Sequence, residues 1–213
     1  MFNFKLILNV LGTLLIALSI LMLIPTLTDL IKSDQTWVSF FIASLFCLGF
    51  GISLFLSTRG DSEGNKLTTK DAFLLTTGSW IVIALFGAIP FYISGFEFSF
   101  TDAIFESMSG VTTTGSTIIT NIEDMSAGIL LWRSLLQWLG GIGIIVMAIS
   151  ILPVLQVGGM QVFRTESSDT SDKILPRTAQ VASAVLSIYI VLTSLCALGY
   201  WVFGMQIFDA VNH

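Results

Sequence analysis

One segment of the chain reads Thr101-Asp-Ala-Ile-Phe-Glu-Ser-Met-Ser-Gly-Val-Thr-Thr-Thr-Gly115 and lies between two long apolar stretches, residues 72–96 and 134–163. Residues 101–109 predict a short helix, which would be only about 13 Å long and would cross roughly half of a membrane. The β-branched run that follows disfavours a longer helix. We therefore predict a segment that enters a membrane as a half-helix and turns back.

Capping signals surround this predicted half-helix. Ser99 or Thr101 can accept hydrogen bonds from the first free amide groups, and Gly110 can end the helix. Asp102 and Glu106 would be favoured in the amino-terminal turns, where the peptide dipoles present positive charge.

The backbone after the half-helix is predicted to be extended, and its polar groups need partners at membrane depth. Val111, Thr112, Thr113 and Thr114 are followed by Gly115, which is free to adopt positive φ. Carbonyl oxygens aimed at a cation would meet that need, as in potassium-selective filters, and the negative carboxyl end of the half-helix would point to the same place. Without its position between two spans, the same run would indicate a simple loop.

The composition places the rest of the chain in a membrane. Of 213 residues, 54% are hydrophobic and 11% are charged, against about 25% charged in ordinary soluble domains. A net charge of -5 without a basic stripe excludes a nucleic-acid-binding protein. Five stretches without a charged residue each exceed the roughly 20 residues that a spanning helix needs. They are residues 6–28, 37–58, 72–96, 134–163 and 178–208.

The distribution of charge predicts a cytoplasmic amino terminus. With that orientation the inner segments hold seven cations and the outer segments hold only Lys32, as the positive-inside rule requires. The acidic residues around the half-helix would form a mouth that attracts cations, although ordinary solvated loop acids explain them equally well. These residues are Glu97, Asp102, Glu106, Glu123 and Asp124.

Three segments together resemble the pore-forming membrane subunit of the Trk potassium-uptake systems, in the Trk, Ktr and HKT superfamily. The first is the segment from Thr101 to Gly115, and the others read Leu136-Gln-Trp-Leu-Gly-Gly-Ile-Gly-Ile-Ile-Val146 and Ile151-Leu-Pro-Val-Leu-Gln-Val-Gly-Gly-Met-Gln161. The resemblance implies an all-α multi-pass membrane fold of potassium-channel type, in which repeats of helix, pore loop and helix surround one pore.

The resemblance also implies a domain organisation. Residues 1–71 would be two leading transmembrane helices and a cytoplasmic loop, and residues 72–160 the first repeat with its filter. Residues 161–213 would be a cytoplasmic loop and the start of a second repeat, truncated in its pore helix. Phe208-Asp-Ala-Val-Asn-His213 aligns with residues 101–106 at an offset of 107. We therefore expect the chain to be the amino-terminal part of a longer protein.

By resemblance, the backbone carbonyls of Thr113 and Thr114 would bind potassium, Thr112 and Gly115 would complete the filter, and Val111 would flank it. Glycine at the filter position implies a preference for potassium over sodium. A sodium-permeable transporter of the same superfamily and a membrane scaffold without transport are the alternatives.

The resemblance also implies a membrane, an oligomeric state and partners for the protein. The resemblance predicts a homodimer in the bacterial cytoplasmic membrane, with potassium as the substrate and no cofactor bound by this chain. A cytoplasmic nucleotide-binding regulatory subunit would be a further partner.

Two features of the fourth stretch leave alternatives open. Gly140, Gly141 and Gly143 would allow either close helix packing or room for the pore loop. Arg133, at the outer edge of this stretch, would either pair with Glu106 or Asp102 or extend to the headgroups. Further along, Pro153 would kink the helix, while Gly158 and Gly159 would end it.

An intramembrane enzyme is the rival class. Nucleophilic catalysis needs a positioned base, but the single histidine, His213, is the last residue. Cys47 and Cys196 each lie within an apolar stretch, and no His, Cys and acid cluster has the spacing of metal ligands. We therefore predict that the chain is not an enzyme.

Overall fold

The computed structural model describes residues 3–58, 69–151 and 174–213. These residues form helices and no strand, and five of the helical segments are long and apolar enough to cross a membrane. The predicted all-α, multi-pass class is therefore confirmed. The helices are α1 (Phe4–Ile31), α2 (Trp37–Ser57), α3 (Thr69–Gly87), α4 (Ile89–Tyr92), α5 (Phe100–Val111), α6 (Ala127–Ile151), α7 (Ile174–Val202) and α8 (Ile207–Asn212).

Most helix bounds differ from the predicted stretches, and α7, for example, covers Ile174–Val202 instead of residues 178–208. Helix α1 continues past its predicted end and includes Asp29, which is buried. Pro90 divides the third stretch into α3 and α4, because proline lacks an amide hydrogen and its ring crowds the preceding turn. Helix α6 begins at Ala127, so Arg133 lies within the helix and not at its edge. The predicted kink and helix end at residues 153, 158 and 159 lie outside the described residues.

The chain forms two compact units, Met1–Gly140 and Gly141–His213. In the first unit one apolar core joins all the helices, from the leading pair α1 and α2 to α6. The ring of Phe40 on α2 meets the ring of Trp132 on α6 edge to face, with centroids 6.2 Å apart. The Trp132 indole also donates a hydrogen bond to the Gly87 carbonyl (2.9 Å), next to the break between α3 and α4. Trp132 therefore connects the leading pair to the end of α3.

The second unit contains the end of α6 together with α7 and α8, and its backbone repeats features of the segment before α5. Helix α8 begins at Ile207 and α5 at Phe100, an offset of 107 residues. Gly204 has a φ of 100°, and its counterpart at the same offset, Glu97, has a φ of 55°. A left-handed residue therefore precedes the short helix in both segments, at the offset that relates their sequences.

The backbones of α1 and α2, the leading pair, approach each other closely. A Cβ atom built on Gly51 would lie 3.0 Å from the Gly12 carbonyl oxygen and 3.0 Å from the Ile16 amide nitrogen. A Cβ atom built on Gly49, half a turn earlier on α2, has nothing within 4 Å. Small residues allow this close approach, which is how helices in membranes gain packing energy.

We predict that Gly51→Leu destabilises the protein and that Gly49→Leu does not. The larger side chain at position 51 must separate α1 from α2, at a cost of about 1 to 3 kcal/mol. At position 49 leucine meets no neighbour and has the better helix propensity, by up to about 1 kcal/mol. Unfolding of the two purified variants in detergent measures the difference, and equal stabilities would contradict the close packing.

Candidate functional site: the pore loop

Helix α5, the half-helix expected from the sequence, begins with a reciprocal cap. The Asp102 amide donates to the Ser99 hydroxyl oxygen (3.2 Å), and the Ser99 amide donates to the Asp102 carboxylate (3.0 Å). Ser99 is therefore the capping residue, and Thr101 lies inside the helix. This cap uses the Asp102 carboxylate, and the partner of Arg133 is found elsewhere.

The carboxyl end of α5 lies later than predicted. The helix continues through Gly110 to Val111, and Thr112 is its C-cap. The Thr113 amide then donates to the Gly110 carbonyl (2.9 Å) and the Thr114 amide to the Ser109 carbonyl (3.0 Å). This pair of bonds defines a Schellman motif, which requires a left-handed residue, and here Thr113 supplies it with a φ of 57°.

The backbone that follows is a tight turn and not the extended segment predicted. Thr113 and Gly115 both have positive φ, 57° and 74°. Within the described chain, the carbonyl oxygens of Thr112, Thr113 and Thr114 accept no hydrogen bond. Residues 113–118 are exposed. Three carbonyl groups in sequence are therefore left for another ligand.

Two residues on the face of α5 behind the turn, Ser109 and Glu106, hold the turn in place. The Ser109 hydroxyl donates to the Ser116 carbonyl (2.6 Å), while the Ser109 carbonyl accepts the amides of Thr114 and Gly115. One turn earlier, a Glu106 carboxylate oxygen accepts the Thr117 hydroxyl (2.6 Å) and the Ile118 amide (2.7 Å). The chain leaving the turn is therefore attached to α5 on both sides of Ser116.

Glu106 also binds α6. The second carboxylate oxygen of Glu106 accepts a hydrogen bond from the Arg133 guanidinium at 2.8 Å, and the side chains are 0% and 17% exposed. This pair confirms one of the two partners predicted for Arg133. The alternative in which Arg133 extends to the headgroups is wrong, because its guanidinium is held at this buried carboxylate.

Glycines bring α6 against the pore loop. A Cβ atom on Gly140 would overlap the Val111 carbonyl, and a Cβ atom on Gly110 would lie 2.9 Å from the Leu136 Cβ atom. Gly140 therefore gives room to the pore loop, which was one of the two predicted roles. Gly141 instead faces the Tyr189 hydroxyl, and a Cβ atom added to Gly143 would have no atom of the described residues within 4 Å.

The acidic residues near the loop divide into different roles. Glu97 and Asp124 are exposed, whereas Glu106 is buried in its ion pair and Asp102 caps α5. The predicted acidic mouth is thus smaller than the sequence suggested. In the part of the chain that the structure describes, no cluster of three His, Cys, Asp or Glu side chains could hold a metal ion.

The sequence did not indicate a role for Ser109. It indicated Glu106 as a partner of Arg133, but not as the acceptor for the chain that leaves the turn. Their spacing of three places both on one face of α5, and that face lies behind the turn. A polar face on an otherwise apolar half-helix was the available signal.

We predict that Arg133→Gln destabilises the protein by about 3 to 5 kcal/mol, because it leaves the Glu106 carboxylate buried without its cation. Adding Glu106→Gln should restore part of the loss, since the amide oxygen can still accept the bonds from Thr117 and Ile118. Unfolding in detergent compares the single and double variants. A double variant no more stable than Arg133→Gln would contradict the ion pair.

We predict a second contrast on α6. Gly140→Ala should cost about 1 to 3 kcal/mol, because the added methyl group overlaps the Val111 carbonyl. Gly143→Ala should be neutral or stabilising by up to about 1 kcal/mol, the difference in helix propensity. The same unfolding measurement decides, and equal stabilities would show that α6 does not contact the loop at Gly140.

Comparison with known proteins places this geometry in a family. A family model described as a cation transport protein, TrkH, matches residues 37–211. The Trk system potassium uptake protein TrkI of Halomonas elongata is 46% identical over 207 residues, which cover 97% of this chain and 42% of the relative. The Trk system potassium uptake protein TrkH of Escherichia coli K12 is 40% identical over 214 residues, which cover 99% of this chain and 44% of the relative.

A solved structure agrees with these relatives. The crystal structure of the potassium transporter TrkH from Vibrio parahaemolyticus matches with a TM-score of 0.85 and 38% sequence identity, over 99% of this chain and 42% of that chain. The chain thus spans less than half the length of the relatives it matches. The match to the family model covers most of the chain, and the chain belongs to the TrkH family of cation transport proteins.

Proposed function

We propose that this chain contributes one filter loop to a protein that takes up potassium across a membrane. The observation that carries the proposal is the run of three carbonyl groups, at Thr112, Thr113 and Thr114, that accept no hydrogen bond from the described chain. Carbonyl oxygens can replace the hydration shell of potassium without adding charge to the site. The carboxyl end of α5 adds its negative dipole end at the same place.

The ion ligands in this proposal are the Thr113 and Thr114 carbonyls, with Thr112 and Gly115 completing the filter and Val111 flanking it. Two residues with positive φ turn successive carbonyl groups in different directions, which supports this assignment. One loop supplies only part of an ion cage. The proposal therefore includes further loops from repeats beyond the one at residues 72–160.

The proposed organisation follows the same reasoning. Residues 1–71 form the leading pair and a cytoplasmic loop, residues 72–160 the first repeat, and residues 161–213 a cytoplasmic loop and the start of the second. The amino terminus is cytoplasmic, since cations are concentrated in the inner segments of the sequence. The carbonyl ligands, and the names of relatives as potassium uptake proteins, support a transporter over an enzyme or a cofactor-dependent protein.

The proposal also includes partners of the chain and its membrane. The resemblance to the Trk subunits carries a homodimer and a nucleotide-binding regulatory subunit on the cytoplasmic side into the proposal. The membrane is the bacterial cytoplasmic membrane. Lipid contacts the exposed apolar faces of the long helices.

The test measures potassium and sodium uptake in bacteria without their own potassium-uptake systems. They carry the reading frame that encodes this chain, as wild type, Gly115→Ser or Gly95→Ser. Gly95 is the matched control, because it also has a positive φ, 84°, with nothing within 4 Å of an added Cβ atom. Both variants therefore place serine at a positive φ, and only one changes the proposed filter.

We expect wild type and Gly95→Ser to restore potassium uptake and Gly115→Ser to lose its preference over sodium. Equal sodium and potassium uptake by wild type would favour the sodium-permeable alternative. Absence of uptake by a wild-type protein that is inserted in the membrane, with its regulatory partner present, would favour the scaffold.

A further inference from the structure

The carboxylate of Asp29 is completely buried although it lies near the end of the apolar helix α1. It accepts a hydrogen bond from the Thr36 hydroxyl (2.6 Å), which lies just before α2. It also accepts the Gly128 amide and, at 3.5 Å, the Ser126 hydroxyl. Burying a charge costs free energy unless the charge keeps such hydrogen-bond partners. The Asp29 carboxylate therefore favours conformations in which α1 and the starts of α2 and α6 stay together.

Two of these donors belong to the start of α6, almost one hundred residues later in the chain. Ser126 precedes the helix, and its hydroxyl oxygen accepts the Ile129 amide (3.3 Å). The first amides of a helix have no partner within the helix. Ser126 accepts one of these amides in α6, and Asp29 accepts another, that of Gly128. An added Cβ atom at Gly128 would collide with the Asp29 carboxylate, so a larger residue here would displace that carboxylate from the Gly128 amide.

Helix α6 contacts α5 through three residues. Leu136 faces Gly110, Gly140 faces the Val111 carbonyl, and the Arg133 guanidinium binds the Glu106 carboxylate. All three contacts depend on how far α6 is displaced along its axis, because each residue advances a helix by about 1.5 Å. An axial shift of that size would move Gly140 away from the Val111 carbonyl and draw the Arg133 guanidinium away from the Glu106 carboxylate.

We propose that Asp29 is a positioning residue for ion selectivity: from the leading pair, it fixes the axial position of α6 and thereby the shape of the filter. The proposal rests on the potassium-uptake function proposed above. It assigns a role in transport to the leading pair, which contributes no residue to the filter loop. The negative charge suits this role, since helix amino termini bind anions and charge-assisted hydrogen bonds are the stronger ones.

The test compares Asp29→Ala, Asp29→Asn and Asp34→Asn in the reading frame that encodes this chain. Asp34→Asn is the matched control, because Asp34 is a carboxylate five residues later, just after α1, and its backbone amide, which the substitution keeps, bonds to the Asp29 carbonyl (2.9 Å). Potassium and sodium uptake and the apparent KM for potassium are measured per inserted protein. A purely structural role would change only the amount of inserted protein.

We expect Asp29→Ala to lower the preference for potassium over sodium by about tenfold, the factor that one charge-assisted hydrogen bond is worth if its loss reaches the filter. Asp29→Asn, which keeps an acceptor for the Gly128 amide, should show a smaller loss, and Asp34→Asn none. Inserted Asp29→Ala protein with wild-type selectivity and KM would overturn the proposal.

A second measurement does not depend on transport. Hydrogen exchange of the amides at residues 127–130 should be faster in Asp29→Asn than in Asp34→Asn, even if Asp29→Ala fails to accumulate. Unchanged exchange in Asp29→Asn would overturn the link between Asp29 and α6. If the wild-type protein transports neither ion, the proposed function fails and this exchange measurement still decides whether Asp29 holds α6.

Discussion

The buried carboxylate of Glu106 holds the candidate site together. Its two oxygens accept bonds from Arg133 on α6 and from Thr117 and Ile118 on the chain that leaves the turn. A carboxylate without water is stable only while these donors stay in place, since losing a partner leaves a charge in a medium of low dielectric constant. The pore helix, the outgoing chain and α6 are therefore constrained to move as one body.

Packing around that carboxylate uses glycine where backbones must approach. In a membrane, lipid tails contact apolar side chains as favourably as a second helix does. Helices therefore associate by close packing and by polar contacts. Gly110 and Gly140 bring α5 and α6 together, and Gly12 and Gly51 do the same for the leading pair. Between these two close contacts lies Trp132, whose ring and indole nitrogen reach both the leading pair and α3.

Local signals made the spans, the half-helix and its amino-terminal cap predictable from the sequence. Those features depend on residues within one or two turns, such as Ser99 with Asp102. The carboxyl end of α5 was misplaced because Gly110 is there for packing against Leu136, and the left-handed position falls to a threonine. The bond between Asp29 and Gly128 was not predictable, since nothing local marks a partner 99 residues away. For Arg133 the chemistry left two acids open, and the choice fell to Glu106 because Asp102 is occupied in the cap.

Thr113 shows why the site needs so many supports. A β-branched residue in the left-handed region is disfavoured by about 1 to 2 kcal/mol, and such a conformation persists only where the surroundings determine it. Here the Schellman bonds fix the turn from the helix side, and Ser109 and Glu106 fix the chain that leaves it. Glycine at position 113 would remove the strain, but it would also let the turn adopt other conformations. A strained threonine held by several bonds has fewer alternatives, so the direction of its carbonyl is better defined, which a site that distinguishes ions by carbonyl geometry requires.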